Sequence, residues 1–363
     1  MRVDAFDFDL PQDRIALKPA RPRDSARLFE VLADGTHQHH RVFDLPSCLR
    51  PGDLLVLNKT SVMPVQLHGT RRRQNVSPLP VSATLVARAE NGPMQWSAFA
   101  KPAKRLKAGD EIVFHPASEN SGQPFSARVT GKADDGLVGL HFAGSADDFA
   151  AGLARCGAPP LPPYIASRRA VDEEDRSDYQ TVYAEVAGSV AAPTAGLHFT
   201  DALLSALSER GVQTAFVTLH VGIGTFLPVK ADHIDDHVMH AEWGEVPDET
   251  AAAVNAVRAA GGRIVAVGTT SLRLLESAAV EPRVLNAFKG ETDIFISPGY
   301  RFKAADALMT NFHLPRSTLF MLVSAIHGVE KMKTVYAEAI DRHYRFYSYG
   351  DASLLWMPDT VVA

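Results

Sequence analysis

The pattern of the chain changes at a proline-rich segment, residues 158–164, and this change constrains the fold more than any other feature. Before it, from about Leu67 to Phe149, short alternating apolar runs are separated by Gly, Pro, Asn and Asp. They predict a small antiparallel β domain that curls into a barrel. From Tyr179 onward strand and helix patterns alternate, which predicts an α/β layer with a largely parallel sheet.

The first part of the chain also bears on domain organisation. Leu54 to Leu57 reads as a strand, but the N-terminal segment is too short to fold alone. We therefore expect residues 1–66 and 153–363 to form one discontinuous α/β domain. Residues 67–152 are expected to form an inserted small antiparallel β-barrel domain.

Composition places the chain among ordinary globular proteins. Its 363 residues are 46% hydrophobic, which is enough to bury the cores of two domains. The N-terminus has no apolar signal segment, and the longest apolar run, around Thr318 to Ile326, is too short to cross a bilayer. Cys48 and Cys156 lack metal-ligand spacing and fit a reducing compartment. We expect a cytoplasmic monomer without a membrane segment.

Charge is unevenly distributed along the chain. The formal net charge of −5 argues against a polyanionic partner for the molecule as a whole. However, the cluster Lys101, Lys104, Arg105 and Lys107 contains no acid, whereas residues 172–175 are acidic. This segment, which we call the basic segment, is either a solvated surface or a phosphate contact.

Two loops of small residues each carry a histidine. The run Ala191–Leu197 leads to His198, just before a predicted helix that Thr200 caps and Gly211 ends. A predicted strand, Gln213 to Val221, then leads into a second loop that begins at His220. Because strand ends of an α/β layer commonly carry ligand sites, we expect the two loops to form one site.

A third segment, Val267–Ser271, follows a predicted strand and opens a helix. The hydroxyls of Thr269, Thr270 and Ser271 accompany free backbone amides at a positive helix end, which suits a carboxylate or ribose hydroxyls. The alternative is that these residues only cap the helix. Residues 222–224, Gly-Ile-Gly, lack a third glycine, so a dinucleotide-binding loop is excluded.

Histidine spacing raises a rival class of function. His233, His237 and His240 would share one face of a helix and could bind zinc in a metallohydrolase. The HExxH pattern is missing, and Gly244 to Pro247 does not extend a helix, so this is an alternative only. Another alternative is a noncatalytic RNA-binding scaffold built on the β domain.

Seven motifs in a fixed order carry a resemblance that covers the whole chain. They are Tyr179–Ala184, Ala191–Thr200, His220–Phe226, His237–Glu242, Val267–Ser271, Thr310–Pro315 and Arg345–Ala352. The chain resembles the S-adenosylmethionine:tRNA ribosyltransferase-isomerase family of queuosine biosynthesis. The resemblance implies that the ribosyl part of S-adenosylmethionine is transferred to a 7-aminomethyl-7-deazaguanine wobble base in tRNA and isomerised. Adenine and methionine leave, and the tRNA carries epoxyqueuosine.

The resemblance also suggests which residues carry out the reaction. Acid–base steps need groups that titrate near neutrality or tuned carboxylates, so the catalytic candidates are His198, His220, His240, Glu242 and His313. S-adenosylmethionine acts as a co-substrate, and no metal is expected. The candidates for binding it are Thr194, Gly196, Gly222, Gly224, Thr269, Thr270, Ser271, Arg273 and Asn311.

A tRNA substrate favours the basic segment as a phosphate contact over a solvated surface. Other positions depart from the family pattern. Lys59 stands where the family has an acid or amide, and Ser61 and Gln66 stand where it has arginines. Asp178 replaces a usual basic residue. These changes affect the expected tRNA contacts and leave the histidine loops unaltered.

Overall fold

The computed structural model describes residues 1–88, 92, 94–116, 125–133, 136–222, 229 and 231–363. Its contacts group these residues into two compact units. The large unit comprises Met1–Ser61, Ser167–Arg169 and Ser177–Ala363, and the small unit comprises Val62–Ala166 and Ala170–Arg176. The small unit is wider than the predicted inserted domain, residues 67–152.

The strands of the described residues are numbered in chain order. They are β1 (Arg27–Val31), β2 (His37–Arg41), β3 (Leu54–Asn58), β4 (Thr60–Val62), β5 (Gln66–Arg73), β6 (Val76–Arg88), β7 (Gln95–Lys101), β8 (Glu111–Phe114), β9 (Phe125–Lys132), β10 (Val138–Phe142), β11 (Gly157–Ala158), β12 (Val186–Ser189), β13 (Gln213–Leu219), β14 (Glu242–Val246), β15 (Ile264–Val267), β16 (Ala279–Glu281), β17 (Val284–Leu285), β18 (Phe288–Thr292), β19 (Ala307–Asn311) and β20 (Ala352–Trp356).

The α-helices are numbered in the same way. They are α1 (Leu45–Cys48), α2 (Ala146–Cys156), α3 (Pro163–Ala166), α4 (Asp175–Asp178), α5 (Asp201–Glu209), α6 (Asp248–Ala259), α7 (Thr269–Ala278), α8 (Thr318–His327) and α9 (Val329–Asp341). In the part of the chain that the structure describes, no helix is both long and apolar enough to span a membrane.

The small unit is a closed antiparallel barrel. Its strands follow the order β5-β6-β7-β10-β9-β8, and β8 pairs back with β5. Aromatic rings fill the interior, and Trp96 stacks on Phe149 of α2 at 5.3 Å. β11 pairs with β5, which explains why residues beyond 152 group with the barrel. The predicted barrel is therefore confirmed.

The large unit contains a nine-stranded sheet in the order β18-β14-β13-β3-β15-β19-β20-β1-β2. The neighbours β13, β3, β15 and β19 run parallel, as do β20 and β1. The remaining pairings are antiparallel. The α/β class is confirmed, and the sheet is mixed, with its parallel strands concentrated in the centre.

Both faces of the central strands are covered. β3, β15 and β19 are buried along their whole length, which is typical of strands with helices on each side. Leu54 and Val56 belong to the core beneath α6 to α9, whereas Leu55 and Leu57 belong to the core beneath α1 and α5. The four parallel neighbours therefore present their carboxyl ends at one edge of the sheet, where this architecture usually binds ligands.

Helix α5 shows how the sequence determines its ends. The Thr200 hydroxyl accepts a hydrogen bond from the Leu203 amide at 3.1 Å, as predicted for the cap. Gly211 has a φ of +81°, a conformation that glycine adopts without strain, and the chain turns there into β13.

Candidate functional site

A cleft lies at the carboxyl ends of β15 and β19, entirely within the large unit. The empty space in and at the mouth of this cleft, including adjoining solvent, is about 570 Å³. Its walls come from residues 191–195, Val221, residues 268–270, the segment after Thr310, and residues 347–348. The predicted site residues Thr194, Thr269, Thr270, Asn311 and His313 line this cleft.

The amino end of α7 forms one wall. Gly268, at φ +88°, caps the helix, and its amide donates to the Met309 carbonyl of β19 at 2.8 Å. Thr269 and Thr270 follow in the first turn, where backbone amides have no partner within the helix. The helix dipole and these amides favour a negatively charged group at this wall. Ser271 is fully buried, and its hydroxyl has no hydrogen-bond partner among the described residues.

Asn311 joins two other walls. Its side-chain oxygen accepts a hydrogen bond from the Thr194 hydroxyl at 2.8 Å, and its amide nitrogen donates to the Tyr347 carbonyl at 3.2 Å. Thr194 begins a 3₁₀ turn, Thr194–His198, and Asn311 is the last residue of β19. One buried amide therefore fixes the position of both neighbouring segments.

Tyr347 has an unusual backbone conformation, with φ at +74°. Non-glycine residues rarely adopt this region, and such strain concentrates at functional sites. The Tyr347 amide donates to the Phe312 carbonyl at 2.9 Å, which holds the segment against the end of β19. Burial raises the pKa of Tyr347 to about 12, so the phenol stays neutral and can donate a hydrogen bond.

His313 is the only predicted histidine on the described wall of the cleft. Its Nε2 lies 3.2 Å from the Thr310 hydroxyl, and its backbone amide donates to the Tyr336 hydroxyl at 3.1 Å. The residue is 5% exposed, and burial lowers its pKa to about 3. The imidazole is therefore neutral at physiological pH.

Glu242 and Arg273 form a buried ion pair at the carboxyl end of β13. Arg273 Nη1 donates to Glu242 Oε2 at 2.6 Å, and both side chains are less than one-tenth exposed. The other oxygen of Glu242 accepts the Gly222 amide at 3.0 Å. The pair thus ties the start of the second small-residue loop to α7.

Ser189 links the two small-residue loops. Its hydroxyl donates to the Ala191 carbonyl at 2.7 Å and accepts the Val221 amide at 2.8 Å. Ala191 and Val221 both line the cleft. Residues from the loops that precede α5 and follow β13 therefore meet at one cavity.

Two predicted residues of the first loop lie outside the cleft wall. The His198 ring is buried, with Nδ1 3.0 Å from the Ala195 carbonyl and Nε2 2.9 Å from the Gly350 carbonyl. Burial lowers its pKa. Gly196 packs against Tyr183, since a Cβ at this position would lie 2.1 Å from the Tyr183 hydroxyl. Both residues hold the turn in place.

The remaining predicted residues lie elsewhere. The His220 ring stacks on Trp243 at 5.1 Å, and its Nδ1 lies 2.9 Å from the Thr60 hydroxyl. Burial lowers the pKa of His220. His240 is exposed, and Gly224 lies outside the described residues.

The zinc alternative required His233, His237 and His240 to share a helical face. The structure has a single 3₁₀ turn, Ile234–Asp236, between the first two of them. Within the described ranges, these three side chains do not form a group with metal-ligand spacing. The shared helical face of three histidines, on which the metallohydrolase alternative depended, is therefore not formed.

Part of the cleft wall consists of residues that were not predicted from the sequence. Thr310, Tyr347, Ser348 and Val221 line it but were not selected. The available signal was their position in the motifs Thr310–Pro315, Arg345–Ala352 and His220–Phe226. Nothing in the sequence indicates the positive φ of Tyr347.

A mixed α/β sheet with a cleft at its carboxyl edge, whose described lining residues include no Lys, Arg, Asp or Glu, together with an antiparallel barrel, defines an α/β protein with a β-barrel unit. A sequence model for queuosine biosynthesis proteins matches residues 3–355. The chain belongs to this queuosine biosynthesis family.

Similar proteins of known name support membership of this family. The chain is 58% identical to S-adenosylmethionine:tRNA ribosyltransferase-isomerase of Allorhizobium ampelinum, covering 99% of this chain and 100% of that protein. It is 59% identical to the protein of the same name from a Chelativorans species, with the same coverage. A crystal structure of S-adenosylmethionine tRNA ribosyltransferase from Thermotoga maritima matches with a TM-score of 0.54 and 35% identity. That match covers 96% of this chain and 99% of the other.

Proposed function

We propose that this chain transfers the ribosyl moiety of S-adenosylmethionine to the 7-aminomethyl-7-deazaguanine wobble base of a tRNA and isomerises it. The products are epoxyqueuosine-tRNA, adenine and methionine. Family membership and the names of the relatives support this reaction. The observation that carries it in the structure is the cleft at the ends of β15 and β19.

The chemistry of the cleft suits a sulfonium nucleoside. Among its described lining residues, none is a Lys, Arg, Asp or Glu, and its histidine is neutral. A sulfonium cation therefore meets no like charge. We assign the methionine carboxylate to the amino end of α7, with Thr269 and Thr270, and the ribose hydroxyls to Asn311 and Thr194.

The reaction needs removal of a proton from a ribose carbon. The sulfonium acidifies the carbon next to it, so a base takes this proton and adenine leaves by elimination. The amine of the tRNA base then adds to the sugar, and closure of the epoxide expels methionine. General bases work best with a pKa near the operating pH.

Roles for the histidines follow from their environments. With a pKa of about 3, His313 is a weak base, so we assign it a hydrogen bond with the bound nucleoside. His220 is half-buried and outside the described cleft wall, but it directly precedes the cleft residue Val221, so we assign the role of base to its Nε2. His198 and Glu242 are positioning residues, because they hold the Ala195 and Gly222 backbones.

The small unit is the part we propose to contact tRNA. Lys101, Lys104, Arg105 and Lys107 are all exposed on the barrel and around the turn after β7. Exposed cations of this kind neutralise phosphates. A cytoplasmic monomer is consistent with such a task.

Two residues that depart from the family pattern, Lys59 and Asp178, form ion pairs within the protein. Lys59 pairs with Glu185 at 2.9 Å, and Asp178 pairs with Arg21 at 3.0 Å.

One assay tests this function against its alternatives. The protein is incubated with labelled S-adenosylmethionine and a tRNA that carries the deazaguanine precursor, and adenine and epoxyqueuosine are quantified. We expect equal amounts of both, without dependence on added metal. Binding of tRNA without adenine release would instead support the scaffold, and activity that chelators abolish while the protein stays folded would support the metallohydrolase.

A further inference from the structure

Strand β2, at one edge of the large sheet, carries three histidines in five residues. His37 and His39 are two positions apart, so their side chains project from the same face of the strand. Both rings meet the carboxylate of Glu338 from α9. His37 Nε2 lies 3.0 Å from Oε2, and His39 Nε2 lies 3.2 Å from Oε1. One ligand atom from each of the three residues lies within 4.8 Å of the others.

Neighbouring aromatic rings hold the two imidazoles in place. The Phe29 ring lies 5.2 Å from the His37 ring and 4.6 Å from the His39 ring. The Tyr344 hydroxyl lies 2.8 Å from His39 Nδ1. Metal-binding histidines commonly have their second nitrogen fixed by such an outer partner, which orients the first nitrogen towards the ion.

The two imidazoles face different oxygens of the same carboxylate. His37 Nε2 is directed at Glu338 Oε2, and His39 Nε2 is directed at Oε1. In the His39 tautomer that carries its proton on Nδ1, towards the Tyr344 hydroxyl, the Nε2 lone pair faces Glu338 and is free to bind a cation.

We propose that His37, His39 and Glu338 bind one Zn²⁺ ion, which fastens the edge strand β2 to α9. Zinc bonds of about 2.0–2.1 Å in a tetrahedron place ligand atoms about 3.3 Å apart, close to the distances between these side chains. Water fills the fourth position, because the side chains are one-quarter to one-third exposed. The site lies three strands from β19 and takes no part in the proposed reaction.

One cation competes with zinc for the carboxylate. Arg342 Nε donates to Glu338 Oε1 at 2.7 Å. Its side chain is 54% exposed, so it can turn into solvent when the ion binds. The bond that is lost is a partly exposed i,i+4 pair at the carboxyl end of α9, and such pairs contribute little to stability.

A second cluster on the opposite face of β2 is a weaker candidate. It consists of Glu30, His40 and Cys48. The Glu30 carboxylate is already satisfied by Trp356 Nε1 at 2.8 Å and by His40 Nε2 at 3.0 Å. Burial raises the pKa of the Cys48 thiol to about 12, so the thiolate that zinc needs is costly to form.

Metal titration distinguishes these sites. Full-length protein stripped with a chelator is titrated with Zn²⁺ against a chromophoric competitor, and Co²⁺ absorption reports four-coordination. We expect one equivalent to bind and to raise the thermal midpoint. His37→Ala and Glu338→Gln should each weaken binding more than tenfold, whereas His40→Ala and His237→Ala should leave it unchanged.

The proposal can fail in three ways. Absence of saturable binding would overturn it, as would wild-type affinity in a His37→Ala/His39→Ala variant. Loss of binding in His40→Ala alone would assign the ion to the second cluster and also overturn it. Glu338→Gln keeps the side-chain shape, and its thermal midpoint without metal shows whether the variant is folded.

Discussion

The Thr194 hydroxyl donates a 2.8 Å hydrogen bond to the side-chain oxygen of Asn311. This contact joins the 3₁₀ turn before α5 to the last residue of β19. It places a loop hydroxyl and a strand-end amide on adjoining walls of one cleft. The arrangement of the cleft therefore depends on side chains that are distant in the sequence.

Asn311→Ala should raise the KM for S-adenosylmethionine about thirtyfold, because about 2 kcal/mol of contacts is lost and about 1.4 kcal/mol corresponds to a factor of ten. The substitution removes the Thr194 and Tyr347 contacts, each worth about 1 kcal/mol. Steady-state adenine release measures the effect. Asn255→Ala is the matched control, since Asn255 also bonds a backbone carbonyl, that of Leu285 at 2.8 Å, outside the cleft. An equal rise in KM for both variants would argue against a local role for Asn311.

Arg273→Ala should destabilise the protein by about 3–5 kcal/mol, because it leaves the buried Glu242 carboxylate without its partner. Urea denaturation measures this change. Adding Glu242→Ala should recover part of the loss, since no unpaired charge then remains. Arg283→Ala breaks an exposed pair with Asp306 and should cost less than about 1 kcal/mol. Similar losses for Arg273→Ala and Arg283→Ala would contradict burial of the Glu242 pair.

His313 should make stability fall as the pH is lowered. Its pKa is about 3 in the folded state and 6.5 when unfolded, so between these values the unfolded chain binds more protons. Stability from this residue is complete above pH 6.5 and declines by about 2 kcal/mol between pH 7 and pH 5. His313→Gln should reduce the pH dependence of the denaturation midpoint by this amount. An unchanged slope, equal to that of the exposed-site control His240→Gln, would show that His313 is not buried as described.

His220→Gln should lower kcat by about 10²–10⁴-fold, the range expected for loss of a general base. Binding of S-adenosylmethionine, measured by equilibrium dialysis, should be unaffected. His141→Gln, an exposed histidine of β10, serves as the control. If His220→Gln retains full turnover and His313→Gln does not, the base has been assigned to the wrong ring.

Replacing Lys104 and Arg105 with Ala should flatten the salt dependence of tRNA binding. Each lost phosphate contact reduces the log–log slope by about one unit. The measurement is the dissociation constant across a range of KCl concentrations. Lys289→Ala, which removes an exposed lysine of the large unit, should keep the wild-type slope. A slope that the double substitution leaves intact would reject the basic segment as a phosphate contact.

Short-range sequence signals were sufficient to predict most of the fold. The predicted helix from Thr200 to Gly211 appears as α5, and the predicted strand Leu54 to Leu57 appears as β3, because caps, glycine and apolar runs act over a few residues. The antiparallel pairing of β20 with β19 interrupts the expected parallel order. Pairing between strands that are distant in the sequence cannot be predicted from the pattern of residues within each strand.

Less of the candidate site than of the fold could be predicted from the sequence. The hydroxyl residues that follow a predicted strand and open a helix indicated Thr269 and Thr270 as site residues, and both line the cleft. Spacing could not show that the His198 ring turns inwards to the Gly350 carbonyl, because that contact spans 152 positions. The positive φ of Tyr347 likewise depends on contacts with the surrounding core, which the sequence near Tyr347 does not indicate.

The central claim is that the cleft at the ends of β15 and β19 holds S-adenosylmethionine, and a crystal structure of the complex tests it most directly. We predict density between Thr194 and Tyr347, with the methionine carboxylate at the amino end of α7. A second cavity, lined by Arg50, Gly52 and Gly262, lies at the opposite, amino ends of the parallel strands. Density for the nucleoside there, with the first cleft empty, would contradict the account.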